Sequence, residues 1–157
     1  MKLSNLWQEK NVTLSFEAFP PKRDSDFDYV RFAVEQIAEL KPDFMSVTYG
    51  AGGGTSAYTA EIARIVQAGH GVPALAHLTC VSSTRDRIHQ ELKHLQDAGV
   101  ENILALRGDY PDGYDPTAPR DFRYAADLIR EIREYGGFCI GAACYPEGHV
   151  ESHSQEE

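Results

Sequence analysis

Ile103-Leu104-Ala105-Leu106-Arg107-Gly108-Asp109 is an apolar run that ends abruptly in two charged residues around a glycine. Such a run is typical of a strand that is buried on both faces of a parallel sheet. Ligands bind at the carboxyl ends of strands in α/β folds, and Gly108 would let a ligand approach the backbone closely. A carboxylate at the rim of an apolar core is costly without a partner or a task. Asp109 is therefore either paired with Arg107 on the surface or part of a site.

The same kind of run recurs along the chain at intervals of about thirty residues, with amphipathic helical patterns between the runs. The other β-prone runs are Val12–Phe19, Phe44–Tyr49, Pro73–Cys80 and Phe138–Tyr145. The predicted helices cover Ser25–Leu40, a segment that begins at Thr55 or Ser56, a segment that begins at Ser83 or Thr84, and a segment around Ala125–Ile132. Strands that alternate with helices predict an α/β fold with a parallel sheet.

Two architectures compete for this pattern. The length of 157 residues suits a doubly wound sheet of five strands, because a (β/α)8 barrel needs roughly 250 residues. Polar residues, however, stand at the end of every strand: Glu17, Thr48, His77, Asp109 and Glu147. A doubly wound sheet gathers ligand contacts at one switch point, whereas a barrel gathers them from every strand. We therefore expect a single domain, residues 1–157, that forms a partial (β/α)8 TIM barrel of about five strands and four helices.

Composition narrows the classes of partner. The net charge is −9, and no Lys/Arg cluster offsets it, so a nucleic-acid partner is not expected. No apolar run is long enough to span a bilayer, and the N-terminal residues lack the apolar core of a signal peptide, which predicts a cytoplasmic protein. Cys80, Cys139 and Cys144 form no CxxC pair, and we interpret them as buried free thiols.

Five motifs at the strand ends occur in a characteristic order. They are Ser15–Lys22 (SFEAFPPK), Ser46–Gly53 (SVTYGAGG), His77–Cys80 (HLTC), Leu106–Asp109 (LRGD) and Ala143–His149 (ACYPEGH). Together they resemble methylenetetrahydrofolate reductase, a flavoprotein family with a (β/α)8 barrel. The resemblance covers essentially the whole chain but only about the first half of that family's barrel. It implies the reduction of 5,10-methylenetetrahydrofolate to 5-methyltetrahydrofolate, with FAD relaying a hydride from NADH or NADPH.

The resemblance also implies roles for particular residues. Glu17 would be the general acid that opens the imidazolidine ring of the folate, and its place between Phe16 and Phe19 predicts apolar surroundings that suit such an acid. Asp109 would lie near both flavin and pterin, where it tunes hydride donation and binds the substrate. The positions that match FAD contacts are Thr48, His77, Arg107, Gly108, Asp109, Tyr124, Ala125, Tyr145 and His149.

Several of these residues have a plainer interpretation. His77 could be a hydrogen-bonded core histidine, and Asp109 could form a surface ion pair with Arg107. Gly50–Gly54 lacks the lysine of a P-loop and the spacing of a dinucleotide-binding turn, so we interpret it as a tight turn that lets a cofactor approach the backbone. His70, His89, His94 and His153 show no metal-ligand spacing, and no metal site is expected.

Three functional hypotheses remain open from the sequence. The first is the flavin reductase, of which this chain would be a part. The second is a non-catalytic half-barrel that a second copy or another chain completes, because an open arc of five strands exposes two strand edges. The third is a metal-dependent, aldolase-like barrel that uses Glu17, His77 and Asp109.

Overall fold

The five predicted strands form one parallel sheet. The computed structural model describes residues 1–49, 56–110, 113, 115 and 119–149. Within them the strands run in chain order, β1-β2-β3-β4-β5. Their bounds are β1 Ser15–Ala18, β2 Phe44–Val47, β3 Ala74–Thr79, β4 Asn102–Leu106 and β5 Cys139–Ala142. This order has no switch point, which confirms the partial barrel and excludes the doubly wound alternative.

In the part of the chain that the structure describes, five α-helices accompany the strands, one more than the sequence predicted. Their bounds are α1 Leu3–Glu9, α2 Phe27–Glu39, α3 Ser56–Arg64, α4 Arg85–Asp97 and α5 Ala125–Tyr135. A 3₁₀ turn at Asp24–Asp26 leads into α2, and a π-helical turn at Ile65–Gly69 follows α3. The predicted N-cap of α4 is confirmed at Thr84, whose hydroxyl oxygen accepts a 3.3 Å hydrogen bond from the Arg87 N–H.

Alternation along the strands separates the sheet into two different faces. Val47, Ala76 and Ile103 point toward the helical layer and are fully buried. Their sequence neighbours point the other way, and the strand register aligns Glu17 with Ser46, Ser46 with Leu75, and His77 with Leu104. We call this second side of the sheet the inner face, because in a closed barrel it lines the interior.

Helix α1 covers the amino-terminal end of the sheet, opposite the strand ends that carry the motifs. Leu3 and Leu6 are buried there. The Leu3 N–H donates to Asn102 Oδ1 at 2.8 Å, and Asn102 Nδ2 donates to the Ala74 carbonyl at 3.0 Å. Trp7 packs edge-on against Phe44. The helix thus contacts the first residues of β2 and β4 directly, and Asn102 links it to the first residue of β3.

One flank of α2, at Tyr29 and Phe32, is apolar and exposed. Phe27, the first residue of α2, packs against Tyr58 of α3 with ring centroids 5.3 Å apart. Tyr29 and Phe32 lie exposed outside that contact, and Leu14 is exposed just before β1. Within the described residues, β1 pairs only with β2 and β5 pairs only with β4. Both edge strands therefore offer unpaired backbone groups.

The cysteine interpretation is correct for one residue and wrong for another. All three thiols are free; Cys80 is buried and Cys139 is partly buried, but Cys144 is exposed. Strand β5 ends at Ala142, three residues earlier than the predicted Tyr145, so Cys144 lies beyond the sheet. None of the helices in the described ranges is both long and apolar enough to cross a membrane. The predicted glycine turn Gly50–Gly54, the Thr55 cap and His153 lie outside the described residues.

Candidate active site

Three neighbouring strands bring polar side chains together on the inner face. The Ser46 hydroxyl donates a 3.2 Å hydrogen bond to Glu17 Oε2. His77 Nε2 lies 3.5 Å from the same carboxylate oxygen. The first contact is a long hydrogen bond, whereas the second is an electrostatic contact beyond the usual length of an N–H···O hydrogen bond. Glu17 and His77, predicted as site residues on separate strands, are therefore adjacent.

The surroundings of Glu17 are polar, so the predicted apolar enclosure is wrong. The Glu17 side chain is 45% exposed, and its nearest partners are a hydroxyl and an imidazole. The error has a simple cause, because Phe16 is the immediate neighbour in β1 and points to the opposite face. Phe19 is largely exposed and lies beyond the end of the strand.

His77 is held in a more enclosed position than Glu17. Its side chain is only 12% exposed. Burial lowers the pKa of His77 below the usual value, and the nearby Glu17 carboxylate raises that pKa in part compensation. The imidazole is thus favoured in its neutral form, in which one ring nitrogen donates and the other accepts.

Thr48 follows β2 and is anchored through its backbone. Its N–H donates to the Ala18 carbonyl at 3.0 Å, and its carbonyl accepts a 3.0 Å hydrogen bond from the Thr59 hydroxyl. These bonds tie the end of β2 to β1 on one side and to α3 on the other. The start of the loop after β2 is therefore fixed relative to Glu17.

The Arg107-Gly108-Asp109 turn leaves β4 with a constrained backbone. Gly108 has a φ of 85°, and a Cβ placed there would lie 2.9 Å from Thr79 Cβ. The Arg107 carbonyl accepts hydrogen bonds from the Cys80 and Val81 N–H groups, at 3.1 and 2.8 Å. Glycine is therefore required for the turn to sit this closely against the end of β3.

The Arg107 side chain of this turn contacts Tyr110. Arg107 packs over the Tyr110 ring, with its Cζ 4.4 Å from the centroid, and NH1 donates to the Tyr110 hydroxyl at 3.2 Å. The Asp109 side chain is exposed. The carboxylate thus faces solvent at the carboxyl end of β4.

The remaining predicted contacts lie at the same end of the sheet, at the start of α5 and after β5. The Tyr124 N–H donates to Asp127 Oδ2 at 3.0 Å, and Ala125 begins α5. Tyr145 and His149 pack edge to face, with ring centroids 4.9 Å apart. These four candidate residues thus lie at the start of α5 or after β5, and their contact with FAD stays a prediction.

The metal-dependent alternative lacks its predicted cluster. Glu17 and His77 are neighbours, but no group of three or more His, Cys, Asp or Glu residues that could hold a metal ion exists within the described ranges. Asp109 does not complete such a group there. The donors around Glu17 are suited to proton transfer and hydrogen bonding instead.

Sequence reasoning missed Ser46 as a member of this constellation. A serine between Met45 and Val47 in a strand reads as an ordinary polar position on a half-covered sheet. The usable signal was parity, because Ser46 and Thr48 are two apart and therefore share a face. Only the register, which sets Glu17 against Ser46, shows that the hydroxyl reaches the carboxylate.

Comparison with known proteins identifies the family of this chain. The family model described as methylenetetrahydrofolate reductase matches residues 2–157. The chain is 40% identical over 151 residues to methylenetetrahydrofolate reductase 2 of Schizosaccharomyces pombe, covering 93% of this chain and 24% of that protein. It is 36% identical over 146 residues to the 5,10-methylenetetrahydrofolate reductase of Pectobacterium carotovorum, with coverage of 92% and 47%. For the Escherichia coli enzyme of the same name the values are 34% over 145 residues, 92% and 48%.

The alignments cover nearly all of this chain but only part of each relative. The chain spans about half the length of the bacterial relatives and about a quarter of the yeast relative. Because the family model covers all but the first residue, the family is shown for the whole chain. This chain belongs to the methylenetetrahydrofolate reductase family.

Proposed function

We propose that this chain forms part of the catalytic face of a methylenetetrahydrofolate reductase. The reaction is reduction of 5,10-methylenetetrahydrofolate to 5-methyltetrahydrofolate, with FAD as cofactor and NADH or NADPH as hydride donor, in cytoplasmic one-carbon metabolism and methionine synthesis. The observation that carries the proposal is the Glu17 carboxylate, which is accessible on the inner face and contacts Ser46 and His77. Family membership over residues 2–157 supports the same activity.

The residues at the carboxyl ends of the strands fit a flavin nucleotide. Arg107 offers a forked guanidinium to the diphosphate or another flavin oxygen, and Leu104 and Leu106 offer half-buried apolar surface on the inner face. FAD, when bound, would supply two-electron hydride chemistry. The residues proposed to hold it are Thr48, His77, Arg107, Gly108, Asp109, Tyr124, Ala125, Tyr145 and His149.

Glu17 and Asp109 then have complementary tasks toward the folate. Glu17, in its protonated form, gives its proton to a nitrogen of the imidazolidine ring. The adjacent C–N bond breaks, its electron pair stays on that nitrogen, and an iminium cation forms that can accept hydride. The exposed Asp109 carboxylate hydrogen-bonds the pterin and offsets the positive charge of the iminium.

Glu17→Gln tests the proposal in the naturally expressed, flavin-loaded protein. The amide keeps the size of the side chain but has no acidic proton, so folate reduction should fall to a small residual rate while the nicotinamide still reduces the flavin. Stopped-flow absorbance of the flavin measures the two half-reactions separately. Glu9→Gln, on the exposed helix α1 at the far end of the sheet, is the control and should change neither. Equal loss of both half-reactions in Glu17→Gln would contradict the acid role.

One observation favours a second candidate, a half-barrel that a partner completes. Within the described residues, β1 and β5 each have an unpaired edge, and α2 has an exposed apolar flank at Tyr29 and Phe32. Both features would suit a second copy or another chain that adds strands. The two candidates are compatible, because a completed barrel could also be the active one. Light scattering and flavin absorbance of the purified protein separate them: a particle larger than one chain without flavin would favour the half-barrel alone.

A further inference from the structure

The two oxygens of the Glu17 carboxylate have different surroundings. Oε2 accepts the hydrogen bond from Ser46 and lies near His77. Within the described ranges, Oε1 has no hydrogen-bond partner. The carboxylate is thus held by one oxygen, and the other is available to a molecule that lies on the inner face.

Ser46 is placed to hold that oxygen and little else. The residue is 8% exposed, and the bond to Glu17 is the one hydrogen bond that its hydroxyl makes within the described part of the chain. A buried hydroxyl without a partner is costly, so the pairing fixes both side chains. The register of β1 and β2 sets the two residues side by side on the sheet.

We propose that Ser46 is a positioning residue for Glu17, which holds Oε2 so that Oε1 presents the acidic proton to the folate. This inference rests on the proposed function. When the proton leaves Oε1 for the ring nitrogen, negative charge develops on the carboxylate, and the Ser46 hydrogen bond to Oε2 becomes charge-assisted and stronger. A hydrogen bond that strengthens as the reaction proceeds lowers the activation free energy of the chemical step, so it changes kcat more than KM.

The kinetic test uses four variants of the flavin-loaded protein. Ser46→Ala should slow the folate half-reaction roughly 10- to 100-fold, the range expected for one hydrogen bond to a charged group, while the nicotinamide half-reaction stays unchanged. Ser46→Thr keeps the hydroxyl and should recover most of the rate. Glu17→Gln and the double variant Glu17→Gln/Ser46→Ala should be equally slow, because Ser46 acts through Glu17.

Ser25→Ala is the matched control. It removes a serine–carboxylate hydrogen bond of similar length, 3.1 Å to Asp26, on the exposed surface. Both half-reactions should keep their rates in this variant. The proposal is overturned if Ser46→Ala slows both half-reactions alike, if Ser46→Thr fails to restore the rate, or if the Ser46→Ala penalty is unchanged in the Glu17→Gln background.

A second measurement needs neither cofactor nor activity, and it separates failure of this inference from failure of the proposed function. Within the described residues, Glu17 is the charged group that acts on the His77 imidazole. NMR titration of His77 should show a fall in its pKa when Glu17→Gln removes the charge. In the Ser46→Ala background that fall should be smaller, because the released carboxylate swings away. An equal fall in both backgrounds refutes the positioning role, whatever reaction the protein catalyses.

Discussion

Replacement of Gly108 by alanine tests how tightly the turn after β4 is built. The substitution adds one methyl group at a φ of 85°, where it meets Thr79 Cβ at 2.9 Å and Cγ2 at 3.2 Å. A left-handed backbone costs an L-residue about 1–2 kcal/mol, and forcing a methyl group into packed surroundings adds about 1–3 kcal/mol. The expected loss is therefore roughly 2–5 kcal/mol, a large share of the roughly 5–15 kcal/mol that stabilises a domain.

Gly71→Ala provides the matched control, because it isolates the backbone part of this cost. Gly71 has a similar φ of 69°, but a Cβ there would meet nothing within 4 Å. This variant should lose only about 1–2 kcal/mol. Urea unfolding followed by circular dichroism measures both losses from the shift in midpoint. If Gly108→Ala is no less stable than Gly71→Ala, the close contact with Thr79 does not constrain the turn, and the structural reason for glycine at this position fails.

Three further predictions concern single groups. Burial lowers the pKa of His77 in the folded state, so the unfolded chain binds more protons than the folded chain between that pKa and about 6.5. The free energy of unfolding should therefore fall as pH drops through this window, and a His77→Gln variant with the same pH dependence would contradict the prediction. Burial raises the pKa of the Cys80 thiol to about 11, so iodoacetamide should label the exposed Cys144 well before Cys80 in a time course followed by mass spectrometry. Equal labelling rates at the two cysteines would show that Cys80 is accessible. The Glu131 carboxylate is 9% exposed and lies 2.6 Å from His89 Nε2 and 3.1 Å from Arg85 Nε. Because both partners are themselves half-exposed, Glu131→Ala should lower the free energy of unfolding in urea by only about 1–2 kcal/mol. A loss near zero would mean that solvent replaces these contacts.

The strand order and the placement of Glu17 and His77 were predictable from sequence, for a physical reason. Alternating strands and helices with short connections leave few topologies, and parallel strands bring their carboxyl ends to one edge. A polar residue at the end of each run must then lie at that edge of the sheet. Strand order therefore follows from local patterns, without knowledge of any particular contact.

Features that depend on long-range contacts were not predictable. Helix α1 has seven residues and no side-chain cap at Lys2, so its local signal is weak, and its main support, Asn102, is 99 residues away. The bond from Ser46 to Glu17 depends on register, which the repeat pattern does not specify. The apolar setting expected for Glu17 failed because neighbours in sequence were treated as neighbours in space.

The distance in sequence between α1 and its support affects how the chain is made. At roughly 5–20 residues per second, the ribosome adds the 99 residues from Leu3 to Asn102 in roughly 5–20 s. A seven-residue helix is too short to persist alone during that time. Trp7, the single tryptophan of the chain, lies on this helix against Phe44, so its fluorescence should report the docking of α1 onto this end of the sheet rather than the pairing of the strands.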